Sequence, residues 1–128
     1  MSKIMLVDDD LDINEQNSLV LKAKGHEISV ATTAEQARAM LKKEVPDLII
    51  LDVVMETVRA GLEFARDIST EYSVPIVLLT SDMANPDWQA MESETWNSVR
   101  SYLKKPVPPA ELCKTVEEVL AERKAKKK

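Results

Sequence analysis

Three aspartates stand beside or within apolar segments of the chain, where carboxylates are costly. Asp8 and Asp9 directly follow a short apolar run, and Asp52 lies inside another one. A buried carboxylate is unfavourable unless it is paired or bound to a metal ion, so its position favours a functional role for Asp52. Asp8 and Asp9 taken alone could equally cap a helix, and Asp10 is expected to do so.

Carboxylates that meet at one site repel one another until one takes up a proton or a cation enters. A hard divalent ion suits such a site, because Mg²⁺ prefers octahedral oxygen coordination and keeps several waters. An aspartate beside the ion can act as a nucleophile toward phosphorus and form an acyl phosphate. Phosphoryl transfer also needs cations and hydrogen bonds on the equatorial oxygens, which a metal ion, a lysine and a hydroxyl would supply.

Short apolar runs alternate with amphipathic stretches along the chain, which is typical of an α/β protein. We predict strands over 3–7, 26–31, 48–54, 74–79 and 101–103. We predict helices over 11–24, 33–43, 61–70, within 87–95 and over 109–124. The first helix has four apolar residues at helical spacing, namely Ile13, Leu19, Val20 and Ala23. This alternation predicts a three-layer α/β/α sandwich around a parallel sheet, with helices on both faces.

Polar residues that could take part in a reaction or bind a ligand lie at the carboxyl ends of the predicted strands. They are Asp8, Asp9, Asp52, Thr80 and Lys105. An open parallel sheet binds its ligands beyond these ends, so residues that are distant in sequence are expected to be neighbours in space.

Length, charge and cysteine content bound the possible functions further. The 128 residues suit one domain, and the single cysteine, Cys113, excludes a disulfide framework. No apolar run reaches the roughly 20 residues of a membrane span, and no signal peptide is apparent, so we expect a cytoplasmic protein with no membrane partner. Residues 123–128 carry five positive charges, so the rest of the chain is more acidic than the net charge of −5 indicates. That balance disfavours direct binding of nucleic acid.

An ordered set of motifs carries a resemblance to a known family. The set consists of Val7-Asp8-Asp9-Asp10, the run from Pro46 to Asp52, the run from Pro75 to Ser81, and the run from Tyr102 to Pro106. Across essentially its whole length the chain resembles the receiver domains of two-component response regulators. The resemblance implies a flavodoxin-like fold with a five-stranded parallel sheet in the order 2-1-3-4-5. We expect a single receiver domain over 1–128 with no output domain, in which 122–128 form a frayed basic tail.

The resemblance also implies a phosphoacceptor and a metal site. Asp52 would accept a phosphoryl group from a sensor histidine kinase, a phosphotransfer protein or a small acyl phosphate. Mg²⁺ or Mn²⁺ would bind to Asp8, Asp9 and Asp52, and the backbone carbonyl of Val54 would complete the protein ligands.

Further roles follow from the same resemblance. Thr80 and Lys105 would each contact a phosphoryl oxygen, and Tyr102 would be the aromatic switch that turns inward when the loop after Thr80 closes. The side chains of Val54 and Asp82 would tune the lifetime of the phosphate.

The chain departs from the family pattern in the loop after the acceptor. Glu56 stands where the family usually has proline, and the glycine that normally follows arrives one residue late, at Gly61. The course of this loop near the site is therefore expected to be altered, although no reactive group is lost.

We interpret the chain as a phosphorylatable signalling switch that alters a protein-binding face for a downstream protein target. It would catalyse its own phosphorylation and dephosphorylation without being a stand-alone enzyme. One alternative is a receiver-like binding module that does not use phosphate, which the complete set of polar groups disfavours. Another is a haloacid-dehalogenase-type phosphatase modified on Asp8, but that family expects Thr or Val where Asp12 stands and usually a larger core.

Overall fold

The computed structural model describes residues 2–52, 64, 66–68, 71–72, 74–80, 99–104 and 107–126, with the backbone alone at 80, 99–102 and 123–126. In this part of the chain, five strands form one sheet: β1 Lys3–Val7, β2 Glu27–Ala31, β3 Leu48–Asp52, β4 Ile76–Thr80 and β5 Val99–Lys104. All neighbouring strands are parallel, and their order is β2-β1-β3-β4-β5. The predicted strand order is therefore confirmed.

The last strand is longer than its sequence suggests. β5 begins at Val99, two residues before the predicted start. Val99 pairs with Ile76 and Ser101 pairs with Val77, so one extra residue on β5 forms a bulge between these pairs. The extra residue has no partner on β4, and pairing resumes after it and continues to Lys104.

The helices begin at side-chain caps. In α1, Leu11–Ala23, the Asp10 carboxylate accepts hydrogen bonds from the backbone N–H groups of residues 12 and 13, which confirms the predicted cap. In α2, Ala34–Lys43, the Thr33 hydroxyl accepts from the backbone N–H of Gln36 at 3.0 Å. The chain leaves α1 through Gly25, whose φ of +89° is strained for any residue with a side chain.

The third described helix is the C-terminal helix, Pro109–Lys126. Helical backbone is also found at residues 64, 66–68 and 71, within or beside the predicted helix 61–70. The predicted helix within 87–95 lies outside the described residues. None of the helices in the described ranges combines the length and the hydropathy that a membrane span requires.

Two apolar clusters cover the two faces of the sheet, as the alternation of side chains along a strand requires. On one face, strand residues such as Met5 and Ile49 pack with α2 and with Phe64. On the other face, strand residues such as Ile4 and Ile50 pack with Leu21 of α1 and with the C-terminal helix. This arrangement is the predicted three-layer sandwich.

The residues that α1 buries are not the ones that the apolar spacing of its sequence predicts. Asn14 and Leu21, seven residues apart, are the buried residues of this helix. Leu19 is 63% exposed even though it belongs to the apolar series. A polar residue therefore occupies an inward position at the start of α1, close to the carboxyl end of β1.

Candidate functional site

Strand register brings two of the predicted site residues level with each other. Val7 of β1 pairs with Leu51 of β3, so Asp8 and Asp52 are the next residues along the two adjacent strands. Asp8 continues the sheet on its other side, because its backbone N–H donates to the Ala31 carbonyl at 3.1 Å. Each of the two aspartates lies two residues beyond a strand residue that faces α1 and the C-terminal helix. Because side chains alternate between the two faces along a strand, both aspartate side chains point to that same face.

Asp9 joins this pair to form a carboxylate cluster. One carboxylate oxygen from each of Asp8, Asp9 and Asp52 lies within 4.8 Å of the others. Asp8 and Asp52 are only 3% and 4% exposed, whereas Asp9 is exposed. Two of the three carboxylates are therefore buried, and the third is exposed to solvent.

The turn between β1 and α1 is held by two hydrogen bonds to Asp8. Its carboxylate oxygen Oδ1 accepts from the backbone N–H of Asp10 at 2.9 Å. Its backbone carbonyl accepts from the side-chain Nδ2 of Asn14 at 2.7 Å. The Asn14 side chain is buried together with this bond. The sequence analysis did not identify Asn14. Its spacing of seven residues from Leu21 could have placed it on the inward face of α1.

The donor set of the cluster fits a hard divalent cation. All three side chains offer carboxylate oxygens, the ligand type that Mg²⁺ and Mn²⁺ prefer. Opposite ligands of an octahedral Mg²⁺ lie about 4 Å apart, since each metal–oxygen bond is close to 2.1 Å. Oxygen atoms within 4.8 Å of one another need only small movements to reach such a geometry. A divalent ion would also offset the mutual repulsion of the three carboxylates.

The remaining predicted site residues are only partly described. Thr80 ends β4 next to Leu79, which pairs with Asp52, so its backbone lies at the same end of the sheet as the cluster. The backbone of Tyr102 pairs with Leu78 within β5. Lys105, Val54 and Asp82 lie outside the described residues, as do the side chains of Thr80 and Tyr102. Their roles stay predictions. The altered loop with Glu56 and Gly61 also lies outside this part of the chain.

Comparison with known proteins identifies the family and agrees with the fold. The chain matches the response regulator receiver domain family over residues 4–117 and belongs to this family. It is therefore a receiver domain of two-component signalling proteins.

Individual relatives cover the chain to different extents. Protein PilH of Pseudomonas aeruginosa is 28% identical over an alignment of 127 positions, which covers 94% of this chain and 99% of PilH. The DNA-binding response regulator MtrA of Mycobacterium tuberculosis is 30% identical over 110 residues, which are 86% of this chain. The chain spans only about half of MtrA, at 46% of its length. A CheY-like receiver domain protein from Methanospirillum hungatei has the same fold, with a TM-score of 0.86, 23% identity and 98% of each chain covered.

Proposed function

We propose that this receiver domain is a phosphorylatable switch in which Asp52 accepts a phosphoryl group in a reaction that depends on a divalent ion. The observation that carries the proposal is the convergence of Asp8, Asp9 and Asp52, with oxygen atoms within 4.8 Å of one another and two of the side chains buried. Three carboxylates at this separation repel one another, which costs stability unless a cation is bound. A site for a cation and a phosphoryl group accounts for this arrangement.

Asp52 is the best placed of the three carboxylates to act as the nucleophile. It is the last residue of the central strand β3, where it pairs with Leu79 of β4, and the preceding residue, Leu51, pairs with Val7 of β1. One of its oxygens attacks the phosphorus of the donor, a new phosphorus–oxygen bond forms, and the bond to the leaving group breaks with its electron pair. Hydrolysis reverses the state, because water attacks phosphorus, the Asp52 carboxylate is restored and inorganic phosphate leaves.

Asp8 and Asp9 would hold the divalent ion, together with Asp52 and the backbone carbonyl of Val54. When bound, Mg²⁺ or Mn²⁺ would supply positive charge to the phosphoryl oxygens and to the crowded carboxylates. Thr80 and Lys105 contact the other phosphoryl oxygens. The backbone of Thr80 directly follows Leu79, which pairs with Asp52 at the end of β3, and this position supports the assignment of Thr80.

The output of the switch is a change in protein binding. Phosphorylation adds about −1.5 to −2 charges at one point, and a loop with two states converts this into a new surface. We propose Tyr102 as the aromatic switch and Val54 and Asp82 as residues that set the phosphate lifetime.

The chain acts as one receiver domain over 1–128, receives its phosphoryl group from a histidine kinase or phosphotransfer protein, and acts on a protein target. The DNA binding named for MtrA is not carried over, since the chain spans only about half of that protein.

Incubation with acetyl phosphate and Mg²⁺, followed by intact-mass measurement, tests the proposal. The wild-type protein is expected to gain the mass of one phosphoryl group, and EDTA is expected to prevent the gain. Asp52→Asn is expected to abolish labelling. Asp12→Asn is the matched control, because it removes the same charge from an exposed acid in the first turn of α1 and is expected to keep the labelling. Labelling that persists in Asp52→Asn, or its absence in the wild-type protein, would overturn the proposal.

A further inference from the structure

We propose that Asn14 is a positioning residue for the divalent ion, acting through the two peptide groups that flank Asp9. The inference rests on the proposed function, because it concerns the same ion. Asn14 touches neither the ion nor phosphate in this assignment. It holds in place the backbone from which the exposed ligand Asp9 projects.

The first peptide group lies between Asp8 and Asp9, and Asn14 holds it. The carbonyl of this group is the one that accepts the 2.7 Å hydrogen bond from Asn14 Nδ2. Asn14 is only 3% exposed, so water does not compete freely for the bond. The backbone N–H of Asn14 donates to the Asp10 carbonyl at 3.1 Å, which anchors Asn14 itself in the first turn of α1.

The second peptide group lies between Asp9 and Asp10, and the Asp8 side chain holds it. The N–H of this group is the one that donates to Asp8 Oδ1 at 2.9 Å. Peptide groups are planar, so only the two dihedral angles at Asp9 remain between these anchored planes. Fixing both planes therefore fixes the direction in which the Asp9 side chain leaves the backbone.

A rigid backbone at Asp9 matters more for Mg²⁺ than for Ca²⁺. Mg²⁺ requires near-ideal octahedral geometry at short distances, whereas Ca²⁺ accepts longer bonds and flexible coordination. Partners that orient a metal ligand without touching the metal typically change affinity about 10-fold to 100-fold when they are removed. Loss of the Asn14 amide is therefore expected to weaken Mg²⁺ binding about 10-fold and Ca²⁺ binding less.

The experiment compares two Asn14 variants with a control on the same face of α1. Asn14→Leu removes the donor at similar size, and Asn14→Ala leaves room for water to reach the Asp8 carbonyl if the larger variant folds poorly. Leu21→Val is the control, because Leu21 is fully buried seven residues along, and its carbonyl accepts hydrogen bonds from the backbone N–H groups of Lys24 and His26 at the other end of α1. Calorimetric titration with Mg²⁺ alone and Ca²⁺ alone gives both Kd values, and urea unfolding in EDTA gives the stability of each protein.

A structural role and a positioning role give different results. Positioning predicts that both Asn14 variants raise the Kd for Mg²⁺ about 10-fold and lose part of the preference for Mg²⁺ over Ca²⁺. Leu21→Val is expected to lose stability and keep both Kd values. Unchanged Mg²⁺ binding in the Asn14 variants, or equal losses for both ions, overturns the inference and leaves the proposed function intact. A wild-type protein that neither binds Mg²⁺ nor accepts a phosphoryl group overturns both.

Discussion

Replacing Asp52 with asparagine is expected to stabilise the metal-free protein. In the absence of a divalent ion, the three clustered carboxylates repel one another, and two of them are buried. Asparagine has nearly the same shape as aspartate but carries no charge. The substitution therefore removes the repulsion of Asp52 with both Asp8 and Asp9 while it leaves the packing at the end of β3 almost unchanged.

The size of this effect follows from the separations in the cluster. At 4.8 Å and an effective dielectric constant of about 20, two unit charges repel each other by about 3.5 kcal/mol. Water screens the exposed Asp9 more strongly, and asparagine accepts fewer hydrogen bonds than a carboxylate, which offsets part of the gain. We expect a net increase of about 1–2 kcal/mol in the free energy of unfolding.

Urea unfolding in EDTA and in Mg²⁺ provides the assay. With a slope near 2 kcal/mol per molar urea, the midpoint of the Asp52→Asn protein in EDTA is expected to lie about 0.5–1 M above the wild-type midpoint. Mg²⁺ is expected to narrow or reverse the difference, because an ion that binds the native state stabilises the wild-type protein more. Asp12→Asn removes an equal charge outside the cluster and is expected to show no such gain. An Asp52→Asn protein that is less stable than wild type in EDTA would refute the argument from repulsion.

Three further predictions concern stability and are measured by urea unfolding. Asp10→Ala removes the cap of α1 and is expected to cost about 1 kcal/mol, as is Thr33→Ala at the cap of α2. Gly25→Ala is expected to cost about 1 kcal/mol through its φ of +89°, although an added Cβ meets no atom within 4 Å. Burial lowers the pKa of His26, the charge of the N-terminus lowers it further, and Glu117 opposes the shift. Because the folded pKa lies below the unfolded value of about 6.5, wild-type stability is expected to fall relative to His26→Gln as the pH drops through about 6.5 toward the folded pKa.

Specific outcomes would contradict each of these three predictions. An Asp10→Ala protein as stable as wild type would show that the cap bonds contribute nothing. A Gly25→Ala protein that is more stable would show that the left-handed backbone relaxes without cost. His26 Nδ1 is buried and has no hydrogen-bond partner among the described residues, which agrees with the effect of burial on its pKa. If the free energy of unfolding of the wild-type protein ran parallel to that of His26→Gln between pH 7 and pH 5, this effect would be contradicted.

The fold class and the three acidic residues could be predicted from the sequence because both leave local signals. Buried parallel strands are continuous apolar runs, and helices between them show a different period, so the alternation indicates a layered α/β fold. Asp52 is conspicuous for the same reason, since it is a charged residue in a run that is otherwise apolar. The order of motifs at the strand ends was sufficient to indicate the family, and the match over residues 4–117 confirms it.

Other features depended on contacts between distant parts of the chain. The bulge that lengthens β5 follows from pairing with β4, which no local pattern contains. In α1, apolar spacing included Leu19, but packing against the sheet turned Leu21 and Asn14 inward. The roles of Thr80, Lys105, Tyr102, Val54 and Asp82 stay predictions, since they rest on the resemblance alone.

The sequence by itself determined which residue types stand at the strand ends, because buried strands and their polar ends are encoded within a few consecutive positions. Only the tertiary structure decided that Asp8 and Asp52 come level on adjacent strands and that Asp9 completes the cluster. It alone decided that the Asn14 amide reaches the Asp8 carbonyl. Register and side-chain hydrogen bonds of this kind depend on how separate elements dock, and a shift of one residue would turn these carboxylates to the opposite face of the sheet.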